Sequence, residues 1–142
     1  MKLVLDTNVI ISGVIWGGIP RKLLDLARDK HVYLYTTPEL LAELADVLSR
    51  DKFAKILNSF ALSPESIMYG YSVLANTIPS IMIRRVVPLD ADDDIVIACA
   101  IAAHANIIVT GDSDLLVLNP FQDIAILKPS QALQKLSNFI IN

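Results

Sequence analysis

Five short apolar runs stand along the chain, at Lys2–Asp6, His31–Thr36, Met82–Val87, Asn106–Thr110 and Ile124–Leu127. None alternates apolar with polar residues, so each reads as a strand buried on both faces. Helical signals fill the stretches between them. Pro20 ahead of Arg21-Lys22-Leu23-Leu24 predicts a helix with proline in its first turn. Thr37 and Pro38 predict a second, as N-cap and first-turn residue, with Leu40, Leu41, Leu44, Val47 and Leu48 as one apolar stripe. Ser63–Pro64 opens a third, running to about Asn76, and Lys128–Pro129 opens a last one. The stretch Asp92–His104 is apolar nearly all round, as suits a helix packed between other layers. Strands alternating with helices predict an α/β fold whose parallel sheet is covered on both faces. With no internal repeat or linker, residues 1–142 are expected to form one domain.

Such sheets bind ligands beyond the carboxyl ends of their strands. Asp6, Thr7 and Asn8 interrupt an otherwise apolar opening at that edge. "NIIVTGDSDLL" repeats the design: a strand ends in Thr110, Gly111 is expected to turn the chain sharply, and Asp112 and Asp114 follow. Asp also suits turns and N-caps, which explains Asp112 as well as a site would when it is taken alone, but less well once Asp6 and Asp114 are set beside it. At about 100° per residue, Glu43 borders the apolar stripe beside Leu40 and Val47, while Glu39 is an ordinary first-turn acid. Asp93 shares a helix face with Val96, Ile97 and Ala100, an expensive place for a carboxylate with nothing to compensate it. Its neighbours Asp90 and Asp92 fit a solvated, capping cluster, and Asp94 fits either role.

Composition narrows the chemistry. Hydrophobic residues make up 54% of the chain, yet the longest apolar run, Ile95–Ala103, is far short of the roughly 20 residues that span a bilayer. Asp6 and Asn8 break what could otherwise pass for a signal peptide, and the single Cys99 excludes an internal disulfide, so a cytoplasmic protein is expected. The net charge of −3 gives no footprint of simple electrostatic binding to nucleic acid. It weighs less against an enzyme that meets phosphate through metal ions. His31 and His104 sit at the edges of a strand and a helix and read as structural. Converging carboxylates with no Cys/His cluster call for a hard divalent cation, Mg²⁺ or Mn²⁺, rather than zinc.

The stretches "LVLDTNVIIS", "ELLAEL" and "DADDDIVIACAIAAHANIIVTGDSDLL" together resemble the PIN-domain nucleases, and most of all the toxin components of bacterial and archaeal toxin–antitoxin pairs. The resemblance covers about residues 1–127. It implies a three-layer fold with a central parallel sheet in the order 3-2-1-4-5. It places the family's acids on Asp6, Glu43, Asp93 and Asp112, with Asp114 as an additional one, and the run of aspartates permits a slip of one residue onto Asp94. Asn8 and Thr110 match positions that hold the acids and the attacking water by hydrogen bonds.

The activity implied is hydrolysis of single-stranded RNA to a 3′-hydroxyl and a 5′-phosphate. One or two Mg²⁺ or Mn²⁺ ions would be held by Asp6, Asp93 and Asp112, with Glu43 and Asp114 completing the shell. The implied partners are RNA, a small antitoxin protein and a second copy of the chain, docked through the helices between Arg21 and Phe60. Arg21–Lys22, Lys52, Lys55 and Arg84–Arg85 are available phosphate contacts, though each taken singly is better explained as a solvated surface charge. Trp16, beside Gly17–Gly18, fits a core or interface position better than a base-stacking platform. Two other functions compete. A PIN fold without metal could serve as a scaffold, which the full set of acids argues against. An aspartate-based phosphatase would want an acid at position 8, where Asn8 stands, and a lysine soon after the last acidic loop, where none occurs before Lys128.

Overall fold

The computed structural model describes residues 1–83 and 91–141. Its elements run β1 (Lys2–Leu5), α1 (Thr7–Ile15), α2 (Gly18–Arg28), β2 (Tyr33–Thr36), α3 (Pro38–Leu48), α4 (Asp51–Ser59), α5 (Pro64–Leu74) and β3 (Asn76–Thr77), followed by α6 (Ala91–Ala103), β4 (Ile107–Val109), α7 (Ser113–Leu116), β5 (Ala125–Leu127) and α8 (Pro129–Ile141). The strands form one sheet in the order β3-β2-β1-β4-β5, and every pairing is parallel. This is the three-layer α/β arrangement expected, with helices on both faces.

Successive strand side chains point to opposite faces. Leu3, Leu5, Ile107 and Val109 therefore enter one core with residues of α1, α2, α3, α5 and α8. Val4, Ile108 and Ile126 enter the other, with Val96, Ile97, Cys99 and Ala100 of α6 and Leu115 of α7. Burial on both sides is why the strands read as unbroken apolar runs. Burial also pushes the Cys99 thiol up to about 12, so it is neutral and inert at ordinary pH.

The helices start where their caps stand. Thr37 accepts the Leu40 N–H at 3.3 Å and Pro38 follows as the first helical residue of α3. Ser63 and Ser66 form a reciprocal capping box at α5, at 3.0 and 3.1 Å. Helices α1 and α2 pack closely through Gly13, and Arg21 of α2 donates to the carbonyls of Gly13 and Val14 at 2.8 and 2.6 Å. Among the described residues no helix is long and apolar enough to cross a membrane.

Two expectations need correction. The third strand is Asn76–Thr77, not Met82–Val87: Met82 and Ile83 lie in irregular chain, and 84–87 fall outside the described residues. The preceding helix accordingly stops at Leu74. An edge strand held by polar anchors leaves no apolar run to read. Here Asn76 Nδ2 donates to the Leu34 carbonyl at 3.1 Å, and Ile78 N–H to that of Thr36 at 2.9 Å. The apolar residues that resume at Val9 form helix α1, which was not anticipated. Their β-branched side chains disfavour a helix, but Val9, Ile10, Ile11 and Ile15 are all buried in it, and burial outweighs that propensity.

Two glycines in helices separate packing from propensity. A Cβ on Gly13 would stand 2.9 Å from Leu24 Cδ1, 3.1 Å from the Pro20 carbonyl carbon and 3.2 Å from Arg21 N, whereas one on Gly70 would meet nothing within 4 Å. Gly13→Ala is expected to lower stability by about 1–2 kcal/mol, overpacking exceeding the gain in helix propensity. Gly70→Ala should raise it by about 0.5–1 kcal/mol. Urea titrations of both variants check this, and shifts of the same sign would contradict the close α1–α2 contact.

Candidate active site

β1 and β4 pair with Leu5 beside Val109, so the first residues past the two strand ends, Asp6 and Thr110, are neighbours. Asp6 N–H donates to the Val109 carbonyl at 2.9 Å, continuing the ladder by one residue. The Asp6 side chain then caps α1, accepting Thr7 N–H at 2.8 Å on Oδ1. Its Oδ2 accepts the Thr110 hydroxyl at 2.7 Å. Each donor holds a different oxygen, which sets the plane of the carboxylate.

Thr110 is fully buried and its hydroxyl is used twice. While donating to Asp6 it accepts the Asp112 N–H at 3.0 Å, and Asp112 Oδ1 in turn accepts the Asp114 N–H at 2.9 Å to cap the short α7. Asp112 is thus both the helix cap its residue type allows and a member of an acid cluster. Gly111 is not what turns the chain here. It stays outside the left-handed region and a Cβ would have open space, so the turn rests on the Thr110 and Asp112 hydrogen bonds.

Asp93 arrives from α6 and is 5% exposed, on the apolar face inferred for it. One carboxylate oxygen each from Asp6, Asp93 and Asp112 lie within 4.8 Å of one another. Around Mg²⁺ at about 2.1 Å, neighbouring oxygen ligands stand about 3 Å apart and opposite ones about 4.2 Å, so the three oxygens would draw together to hold an ion. Three carboxylates also form the hard, all-oxygen donor set that such a cation takes. Of the adjacent aspartates it is Asp93, not the half-buried Asp94, that belongs to this group.

The remaining candidates are distributed around it. Glu43 lies on α3, which packs against α6, with Oε2 enclosed, and it is not a fourth member at that spacing. Asp114 is exposed in the first turn of α7. Asn8 is exposed in the first turn of α1, and the hydrogen bonds described at Asp6 come from Thr7 and Thr110. His31 and His104 are exposed, one ahead of β2 and one just past α6. Trp16 is 69% exposed and so is not a core residue. Arg84, Arg85, Asp90 and the side chain of Asp92 lie outside the described residues. What sequence reasoning missed is the Thr7 backbone N–H, a donor any residue could supply and so without a side-chain signal.

Residues 2–114, which include every acid named above, match the family model of the PIN domain. The chain is 36% identical over 121 residues to uncharacterized protein MJ1680 of Methanocaldococcus jannaschii, a match that covers 83% of this chain and 75% of that relative. Its fold is similar to that of a chain in the crystal structure of VapBC2 from Rickettsia felis bound to a DNA fragment from their promoter. There the TM-score is 0.60 at 16% identity, over 89% of this chain and 97% of that one.

The Thr110 hydroxyl gives a direct test of the geometry. Thr110→Val keeps the shape but leaves a buried Asp6 oxygen and the Asp112 N–H short of a partner, and is expected to cost about 1–3 kcal/mol. Thr110→Ser keeps both hydrogen bonds and should lose only about 1 kcal/mol for the methyl group. Thermal melts in chelator compare the two, and a Val variant as stable as the Ser variant would mean the hydroxyl does not organise these acids.

Proposed function

The chain belongs to the PIN domain family, and on that premise we propose that it is a metal-dependent endoribonuclease cutting single-stranded RNA, the toxin of a toxin–antitoxin pair. The observation that carries the reading is the convergence of Asp6, Asp93 and Asp112. In this reading they hold Mg²⁺ or Mn²⁺, with Glu43 and Asp114 supporting them from α3 and α7. The ion, when bound, supplies Lewis-acid polarisation of the scissile phosphate and neutralises its charge. The chain's own part is preorganisation. Thr7 and Thr110 fix the Asp6 carboxylate, burial of Asp93 keeps competing water from one side, and the exposed Asn8 offers an amide to the attacking water or the strand. An enzyme acting on cellular RNA would work in the cytoplasm.

Partners follow from likeness and from surface. The VapBC2 structure sets its chains on promoter DNA, and the shared fold supports a small antitoxin partner for this chain. A homodimer is the second assembly proposed. Of the large exposed apolar side chains described, only Tyr33 and Phe60 fall between positions 21 and 60, while Tyr69 and Val73 stand a turn apart on α5. The surface to be covered therefore extends onto α5.

The activity test uses the full chain with single-stranded RNA. Cleavage is expected with Mg²⁺ or Mn²⁺ and not with EDTA. Asp6→Asn and Asp93→Asn should each lose more than the roughly 10–100-fold typical of outer-shell substitutions. Melting curves provide a readout independent of turnover. Ionised carboxylates at this spacing repel by about 3 kcal/mol per pair at an effective dielectric of about 20, so Asp93→Asn should melt above wild type in EDTA. Saturating Mg²⁺ should stabilise wild type by about 3 kcal/mol at a hundred times its Kd and the variant much less, closing or reversing the gap. Cleavage that persists in chelator, or equal Mg²⁺ responses, would overturn the metal reading. For the homodimer, light scattering at tens of micromolar should give twice the chain mass, and a monomer mass would refute it.

A further inference from the structure

The chain has a single tryptophan, Trp16, and it is 69% exposed at the end of α1. We propose that Trp16 is a stacking platform for one base of the RNA strand, with Arg21 beside it as a phosphate contact, an inference that rests on the nuclease reading above. The backbone that carries Trp16 is fixed: its main-chain N–H donates to the Ser12 carbonyl at 2.9 Å, and the Gly17 N–H to the same oxygen at 3.1 Å. Gly17 and Gly18 then reverse the chain at φ 80° and 64°, conformations that L side chains rarely adopt.

Arg21 is equally set. With Nε and Nη2 committed to the Gly13 and Val14 carbonyls, its guanidinium lies against Gly17, where Nη1 would stand 3.9 Å from a Cβ. Nη1 makes no hydrogen bond among the described residues and Arg21 is exposed. A guanidinium fixed in place suits phosphate, since little side-chain freedom is lost on binding. An exposed indole suits any base, because every base has a π-face.

Charge favours a polyanion over a second copy of the chain. From Thr7 to Leu24 there is no acid, and the charged residues are Arg21 and Lys22, a local surplus of two cations and no anions in a chain of net charge −3. A twofold contact through this loop would bring Arg21 and Lys22 of both copies together. Reach also fits. Asp6 caps the start of α1 and Trp16 its end, so at about 1.5 Å per residue their backbones stand about 15 Å apart. That is about four nucleotides at the stacked spacing of about 3.4 Å, at the short end of the roughly 4–16 nucleotides bound by single-strand sites.

The single indole is its own reporter. Asp93→Asn protein with Mg²⁺ is titrated with an oligoadenylate of about ten nucleotides, so that the probe is not consumed. Saturable quenching of tryptophan emission is expected. Trp16→Ala should weaken binding about tenfold, measured by anisotropy of a labelled oligomer, and Trp16→Phe should recover most of the loss. In the otherwise wild-type enzyme, Trp16→Ala should raise KM with little change in kcat. Unmoved emission at RNA saturation, or unchanged binding and KM in Trp16→Ala, overturns the platform while leaving the metal-site tests untouched. Emission that shifts with protein concentration in the absence of RNA, together with a reduced mass for Trp16→Ala, overturns it in favour of self-association. If wild type neither binds nor cleaves RNA, the nuclease reading fails and the platform with it.

Discussion

The parallel register of β1 against β4 is the constraint on which the site depends. Leu5 beside Val109 makes Asp6 and Thr110 adjacent at the sheet edge, although 104 positions separate them in the chain. One hydroxyl then ties the end of β1, through Asp6, to the turn after β4, through the Asp112 N–H. A slip of one residue would reverse which face each side chain of β4 enters, and both cores would lose their fit. Apolar packing on the two faces therefore sets the position of two carboxylates that take no part in that packing.

Asp93 reaches the same point by another route. It lies on α6, whose Val96, Ile97 and Ala100 are buried against the sheet. Helix and strands thus belong to one apolar layer, and their acids meet where it ends. Local backbone bonds then refine each carboxylate, as Thr7 does for Asp6 and Asp114 for Asp112. Sites built on strand ends and a packed helix are held more tightly than sites on loops.

Much of this was legible in the chain because burial leaves a compositional mark. Strands covered on both faces read as unbroken apolar runs, and an acid on the apolar face of α6 is conspicuous for its cost. Strand order is different: it depends on which strands pair, which no single stretch records, and it came from the resemblance alone. β3 escaped notice because two polar residues anchored to β2 leave no apolar pattern. Helix α1 escaped because Val9, Ile10, Ile11 and Ile15 suit strand and helix burial alike. Gly111 misled, since a glycine after a strand suggests a strained turn, and here hydrogen bonds from neighbouring residues suffice.

The brevity of the outer strands bears on colloidal behaviour. β3 has two residues and β5 three, and among the described residues these are the two edges of the sheet. A long flat edge offers a row of unpaired amides and carbonyls on which another chain can add as a strand. This chain is 54% hydrophobic and its central strands are almost wholly apolar, the composition most prone to such growth. With edges of two and three residues, and Asn76 and Thr77 exposed on one of them, there is little template for strand addition. The same shortness that hid β3 from the sequence leaves a second copy few backbone groups to pair with along the described edges.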